Sequence, residues 1–240
     1  PYLMGNSWFQ FQQFRVQQDR CAMKITTDAV LLGALADFKS PKEILDIGTG
    51  TGVITLMLAQ RFPESKVTAI EIDLEAAVQA AENFKESPFS TRLTLQPIAL
   101  QDFSAGASFD LIVSNPPYFP DHLKSSDAKR NLALHTDSLC FEDLLSHASQ
   151  LLTSSGEFWA ILPPRQMRDF CMLAEEVSLY PNLKIQIRDS ENKPIHREIA
   201  AFSKTEKKPS YPDQIYCLKS PDGDYSEAYR RILAGFLLGH

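Results

Sequence analysis

The chain has 240 residues, 44% of them hydrophobic, with 24 basic and 30 acidic side chains and a formal charge of −6. That size and apolar content allow one large domain with a sizeable core, and no apolar run approaches the ~20 residues that a membrane span requires. Cys21, Cys140, Cys171 and Cys217 form no CxxC pair and the five histidines are dispersed. Neither a disulfide framework nor a metal site is therefore expected, and a reducing, cytoplasmic compartment is.

Residues 1–15 are aromatic and glutamine-rich and lack the apolar stretch of a leader. Phe9, Phe11 and Phe14 read as core residues of an edge hairpin. Arg15, Arg20 and Lys24 read either as a solvated face or as phosphate contacts. The acidity lies elsewhere: residues 25–113 hold 12 acids and 6 bases, whereas residues 181–240 hold 8 acids and 10 bases. A bulk charge of this sign leaves a local phosphate-binding face open.

From Glu43 the chain alternates strands and helices. Glu43–Ile47 reads as a buried strand, then a glycine loop, then a helix over Val53–Arg61. Lys66–Ile70 is the next strand, residues 74–84 have helical apolar spacing, and Leu93–Gln96 and residues 109–113 are further strands. Residues 141–152 read as a helix closed by Ser154-Ser155-Gly156, and residues 158–162 as a strand with Pro164 opening the following helix. This alternation predicts a parallel, helix-covered sheet. After residue 183 the pattern changes to strands at 183–188 and 197–202 joined by a turn, a late edge strand at 214–218, and a helix at 226–237 capped by Ser226. The expected organisation is one domain over 1–240: an arm or hairpin (1–30), an α/β core that binds the cofactor (31–180), and C-terminal strands and helix (181–240).

Asp46-Ile47-Gly48-Thr49-Gly50-Thr51-Gly52 closes the first parallel strand. Glycines let a backbone turn tightly and approach a ligand without a Cβ in the way. The same logic serves dinucleotide sites, but the third glycine of GxGxxG is absent, since Ile54 and Thr55 follow Gly52. Asp46 within the strand adds a carboxylate that suits a cationic ligand better than a pyrophosphate. Glu71 ends the second strand about 20 residues past the glycines, where an acid grips both ribose hydroxyls. A carboxylate ending an apolar strand is costly unless something uses it. Asp73 reads as the cap of the next helix.

Asn115-Pro116-Pro117-Tyr118 follows the strand at 109–113. Two prolines remove two N–H donors and hold the backbone, so the local carbonyls and the Asn115 amide oxygen face the site as acceptors. A planar NH2 group bound there would give its hydrogens to those acceptors and aim its lone pair at a methyl group. Tyr118 offers a face for a flat ring. The plainer alternative is a proline turn with an Asx turn at Asn115.

The loop, Glu71 and Asn115 to Tyr118 resemble the class I amino-methyltransferases, which act on nucleic-acid amino groups or on a protein glutamine. Phe9-Gln10-Phe11-Gln12-Gln13-Phe14, Asp19-Arg20-Cys21-Ala22-Met23-Lys24-Ile25-Thr26-Thr27-Asp28-Ala29 and Leu31-Leu32-Gly33-Ala34 are similar to the amino-terminal signature of bacterial tRNA1(Val) adenine-37 N6-methyltransferases. Tyr225-Ser226-Glu227-Ala228-Tyr229-Arg230-Arg231 and the pair His196-Arg197 resemble that family too. The resemblance implies a Rossmann-like α/β fold with a mostly parallel seven-stranded sheet, helices on both faces and a C-terminal antiparallel hairpin. It implies S-adenosyl-L-methionine over Asp46, Gly48, Gly50 and Gly52, with Glu71 on the ribose, Lys24, Thr26 and Thr27 near the methionine end, and Asn115 beside it. Many relatives bind the cofactor adenine with an Asp after the third strand; here Ala99 holds that place, so either Asp102 or a backbone group near Leu100 serves. The implied catalytic residues are Asn115, Pro116, Pro117 and Tyr118, the substrate is tRNA, and the enzyme works without a metal as a monomer or weak homodimer. Lys124, Lys129 and Arg130 either face the RNA or form a charged surface loop. Competing readings are the same chemistry on another base or on a glutamine, and an S-adenosylmethionine-binding protein without turnover.

Overall fold

A computed structural model describes residues 7–21, 23–117, 139–206 and 214–238. Tyr118, Lys124, Lys129 and Arg130 lie outside the described residues. The arm opens with an antiparallel ribbon of β1 (Trp8–Gln10) and β2 (Arg15–Gln17). Phe11 and Phe14 at its turn are buried and stack at 4.5 Å between ring centroids. They are core residues and leave no ring face for a base.

The main sheet contains β3 (Glu43–Ile47), β4 (Lys66–Ile70), β5 (Leu93–Gln96), β6 (Phe109–Ser114), β7 (Leu152–Leu162), β8 (Tyr180–Arg188), β9 (Ile195–Ser203) and β10 (Gln214–Cys217). Their order in space is β10-β8-β9-β7-β6-β3-β4-β5. Only the pairs that β9 makes, with β7 and β8, are antiparallel. Strands β3 to β9 are the expected seven, and β10 adds an eighth, parallel to β8 at the edge.

Alternation along each strand sends neighbouring side chains to opposite faces. Ile44 joins one core and Leu45 the other; Leu111 and Val113 oppose Ile112. Helices α1 (Thr27–Leu35), α2 (Val53–Arg61), α3 (Leu74–Glu86) and α6 (Glu227–Leu233) cover the first face together with Phe11 and Phe14. Helices α4 (Phe141–Leu151) and α5 (Pro164–Glu176) cover the second, around Phe158, Phe170 and Phe202. Helix α1 is buried from Ala29 to Ala34, which is why it is apolar on all sides.

Two boundaries depart furthest from the sequence pattern. Ser154-Ser155-Gly156 does not form a loop: the strand begins at Leu152, which pairs with Phe109 before the register jumps to Glu157 opposite Leu111. The extra residues form an irregularity within β7 that hydrophobic periodicity does not report. The C-terminal helix stops at Leu233, where Phe236 N–H turns back to the Leu233 carbonyl.

The chain steps from β3 outward through β4 to β5, then returns to β6 on the other side of β3. The direction of winding reverses between β3 and β6. The connections that leave their carboxyl ends run in opposite directions, and a crevice outside such a reversal is the usual ligand position in an open α/β sheet.

Candidate active site

The loop leaving β3 is lashed to the end of β4. Gly48 and Thr49 N–H both donate to the Ile70 carbonyl, at 3.0 and 3.1 Å. Gly48 and Gly50 have φ of +74° and +55°, and a Cβ on either would meet no atom within 4 Å. The loop thus presents bare backbone to open space. Gly52, at φ +83°, differs: a Cβ there would stand 2.5 Å from Cε1 of Phe84.

Glu71 sits beyond β4 and is 9% exposed. Its Oε2 accepts from Gly50 N–H at 2.8 Å and its Oε1 from Asp73 N–H at 2.9 Å. Each oxygen keeps a lone pair for a ligand hydroxyl. Asp73 itself caps α3, accepting from Ala76 N–H at 2.9 Å.

Beneath the loop Asp46 is fully buried. Its Oδ2 accepts from the Thr49 and Thr55 hydroxyls at 2.6 and 2.7 Å, while Oδ1 has no partner. Burial, reinforced by the charge of Glu71, pushes its carboxyl up to about 6, against the two threonine hydrogen bonds. Burial first, then Glu71, Asp73 and Asp19, push the Cys21 thiol up to about 11, so it stays protonated and is no nucleophile at neutral pH.

These elements frame a cavity of about 790 Å³. Its lining includes Gly48 and Gly50 after β3, Glu71 and Ile72 after β4, Leu100 and Asp102 after β5, and Asn115, Pro116 and Pro117 after β6. Ser114, the last residue of β6, ties that strand's end to the end of β3 by donating to the Ile47 carbonyl at 3.0 Å. Among the described lining residues are three acids, Glu71, Asp73 and Asp102, and no Lys, Arg or His. Such a cavity repels a phosphate and favours a cation.

A family model described as a methyltransferase small domain matches residues 25–179. A tRNA1(Val) (adenine(37)-N6)-methyltransferase of Pedobacter heparinus is 43% identical over 96% of this chain and 97% of its own length. A protein of the same name from Pseudoalteromonas translucida is 38% identical over 97% and 99%. The chain belongs to the tRNA1(Val) (adenine(37)-N6)-methyltransferase family. Among solved structures, a predicted O-methyltransferase of Agrobacterium tumefaciens superposes with a TM-score of 0.64 at 18% identity, over 87% of this chain and 96% of that one. A putative RNA methyltransferase of Pyrococcus horikoshii gives 0.52 at 20% identity, over 74% and 81%. Those two likenesses concern the fold.

As a member of a methyltransferase family, the enzyme takes its methyl group from S-adenosyl-L-methionine. The residues present fit that molecule. Its sulfonium and ammonium groups suit a lining rich in carboxylates, its ribose diol suits the two oxygens of Glu71, and bare Gly48 and Gly50 allow close approach.

Of the residues singled out in the sequence, Gly48, Gly50, Glu71, Ala99, Leu100, Asp102, Asn115, Pro116 and Pro117 line this one cavity. Lys24, Thr26, Thr27, Asp46 and Gly52 do not. The Thr26 hydroxyl instead caps α1 by accepting from Ala29 N–H at 3.2 Å, Asp46 lies below the loop, and Gly52 makes room for Phe84. Asp102 is exposed at the rim and Ala99 caps the short 3-10 turn Leu100–Asp102. From the arm, Cys21 and Met23 reach the cavity instead of Lys24. Sequence reasoning also missed Ile72, which is 64% exposed between Glu71 and Asp73. An isoleucine left in the open just beyond a strand is the signal that could have found it.

Proposed function

We propose that this enzyme transfers a methyl group from S-adenosyl-L-methionine to N6 of adenine 37 in a valine tRNA. The observation that carries the reading is that Asn115-Pro116-Pro117 and the Gly48–Gly50–Glu71 group line a single cavity. The relatives' names supply the base and its position. When bound, the cofactor supplies a methyl group on a cationic sulfur, open to direct displacement. Everything else falls to the chain. Glu71 holds the ribose, the glycine loop carries the methionine portion, and exposed Ile72 and buried Leu100 offer apolar surface to the adenine ring, with Asp102 or the Leu100 backbone on its amino group.

Asn115 Oδ1 and the carbonyls of this proline turn accept the two hydrogens of the target NH2. The nitrogen lone pair is then aimed at the methyl carbon, and orientation accounts for much of the rate. Tyr118 stacks on the target base. With the cofactor held by the glycine loop and Glu71, its methyl group would pass directly to that nitrogen and the amine's extra proton would go to water, so the chain need supply no strong base. The working form in this reading is a cytoplasmic monomer or weak homodimer of one domain.

The test is transfer from labelled S-adenosylmethionine to separated tRNA, rRNA, DNA and protein fractions, followed by mapping of the labelled nucleoside. Label should appear as N6-methyladenosine at position 37 of valine tRNA. Label in protein, or at another base, would overturn the assignment.

A further inference from the structure

We propose that Gln79 and Asn83 are positioning residues for the cofactor site, their buried carboxamides fastening residues 17–21 to the glycine loop and holding Cys21 and Met23 at the cavity. The inference rests on the reading of this cavity as the S-adenosylmethionine site.

Gln79 and Asn83 stand one turn apart on one face of α3, a spacing that makes them neighbours. In a helix with Leu74 and Val78 exposed, these two amides are 1% and 0% exposed. Burying an amide is unfavourable unless its donors and acceptors are used. Here they are used on a segment about 60 residues earlier in the chain. Asn83 Oδ1 accepts from Gln17 N–H at 2.8 Å and its Nδ2 donates to the Gln17 carbonyl at 2.9 Å. Gln79 Oε1 accepts from both Arg20 N–H at 3.0 Å and Cys21 N–H at 3.1 Å, and its Nε2 donates to Asp19 Oδ1 at 2.7 Å. Residues 18–21 lie outside any strand, so these side chains replace the ladder that would otherwise satisfy the backbone.

The same amide reaches the other half of the site. Asn83 Nδ2 also donates to the Thr51 carbonyl at 2.9 Å, inside the glycine loop. The next residue, Phe84, fills the space left by Gly52. Ala76, one turn before Gln79, lines the cavity itself. One helix face therefore sets the distance between the loop that carries the cofactor and the arm that borders it.

The test exploits the polarity of the Gln79–Asp19 hydrogen bond. Gln79→Glu keeps the acceptor for Arg20 and Cys21 but sets a carboxylate against Asp19. Adding Asp19→Asn restores a donor–acceptor pair with the polarity reversed and the net charge of the wild type. Asp19→Asn alone should behave as wild type, because its amide oxygen still accepts from Gln79. Gln79→Glu should raise the calorimetric Kd for S-adenosylhomocysteine and the KM for S-adenosylmethionine about tenfold, with kcat at saturating cofactor within about twofold. The double variant should return both to within about threefold of wild type, the signature of a direct coupling.

Unchanged cofactor affinity in Gln79→Glu, with faster amide exchange at Arg20 and Cys21, would overturn the proposal. Lost affinity without recovery in the double variant would do the same, since that is the behaviour of general destabilisation. Should Gln79→Glu fail to fold, Asp19→Ala at the exposed end of the bond serves instead: a Kd raised about threefold supports the proposal, and wild-type affinity overturns it. None of the binding measurements needs RNA. A wild-type enzyme that binds S-adenosylhomocysteine but methylates no tRNA refutes only the substrate assignment, whereas one that binds none refutes the cavity's assignment itself.

Discussion

Alanine at Gly52 and alanine at Gly50 should fail in different assays, although the two glycines are two residues apart. At Gly52 the backbone is left-handed and the added methyl would lie 2.5, 3.2 and 3.3 Å from Cε1, Cζ and Cδ1 of Phe84, a ring 5% exposed in the first core. The left-handed conformation costs a residue with a Cβ about 1–2 kcal/mol. Forcing a packed ring aside adds about 1–3 kcal/mol. Gly52→Ala should thus destabilise the fold by about 2–5 kcal/mol, a fall in Tm of roughly 4–20 °C for a chain of this size. At Gly50 only the backbone term applies, because nothing stands within 4 Å of the new methyl. That variant should lose about 1–2 kcal/mol of stability. Its methyl, however, projects from a residue that lines the cavity, so cofactor affinity should fall at least about tenfold. Urea denaturation followed by circular dichroism, and calorimetry with S-adenosylhomocysteine, separate the two effects. Wild-type stability in Gly52→Ala, or wild-type affinity in Gly50→Ala, would refute the division of the loop into a packing glycine and a ligand-facing one.

Glu71→Ala should weaken S-adenosylhomocysteine binding by about 1.5–3 kcal/mol, the range for hydrogen bonds to a charged group, as read by calorimetry. Asn115→Ala should leave cofactor affinity near wild type and lower kcat by roughly 10²–10³, by analogy with loss of one preorganised donor; near-normal turnover on tRNA would make the proline turn structural. Asp46 should couple stability and binding to pH in opposite directions. Its carboxyl titrates at about 6 when folded and near 4 when unfolded, so the native state takes up a proton as pH falls through 6, and wild type should gain stability relative to Asp46→Asn between pH 8 and 5, by roughly 1.5 kcal/mol. Over the same interval its affinity for cationic S-adenosylmethionine should fall, whereas the variant's should stay flat; parallel titrations that do not diverge would remove Asp46 from the site's electrostatics.

Much of the fold was legible from local pattern. The observed bounds of β3, β4 and β5 and of α2 coincide with the expected ones: β3 and β4, paired on both sides, bury most of their residues between helical stretches, and the edge strand β5 alternates Leu93 and Leu95 with polar residues. The positions of Glu71 and Asn115 followed from the same logic, since each directly follows the end of a strand and strand ends face the crevice. What depended on contacts between distant segments could not be read this way. Gln79 and Asn83 look like the polar stripe of an amphipathic helix, yet they are buried because the arm lies over them. Gly52 looks like a third ligand-facing glycine, yet its missing side chain belongs to Phe84, 32 residues later. Cys21 and Met23, not Lys24, line the cavity, and the Cys21 N–H is held by Gln79 from 58 residues later. Periodicity senses neighbours within a few residues on one element, whereas these roles are assigned by packing between elements, which exists only once the chain has closed on itself.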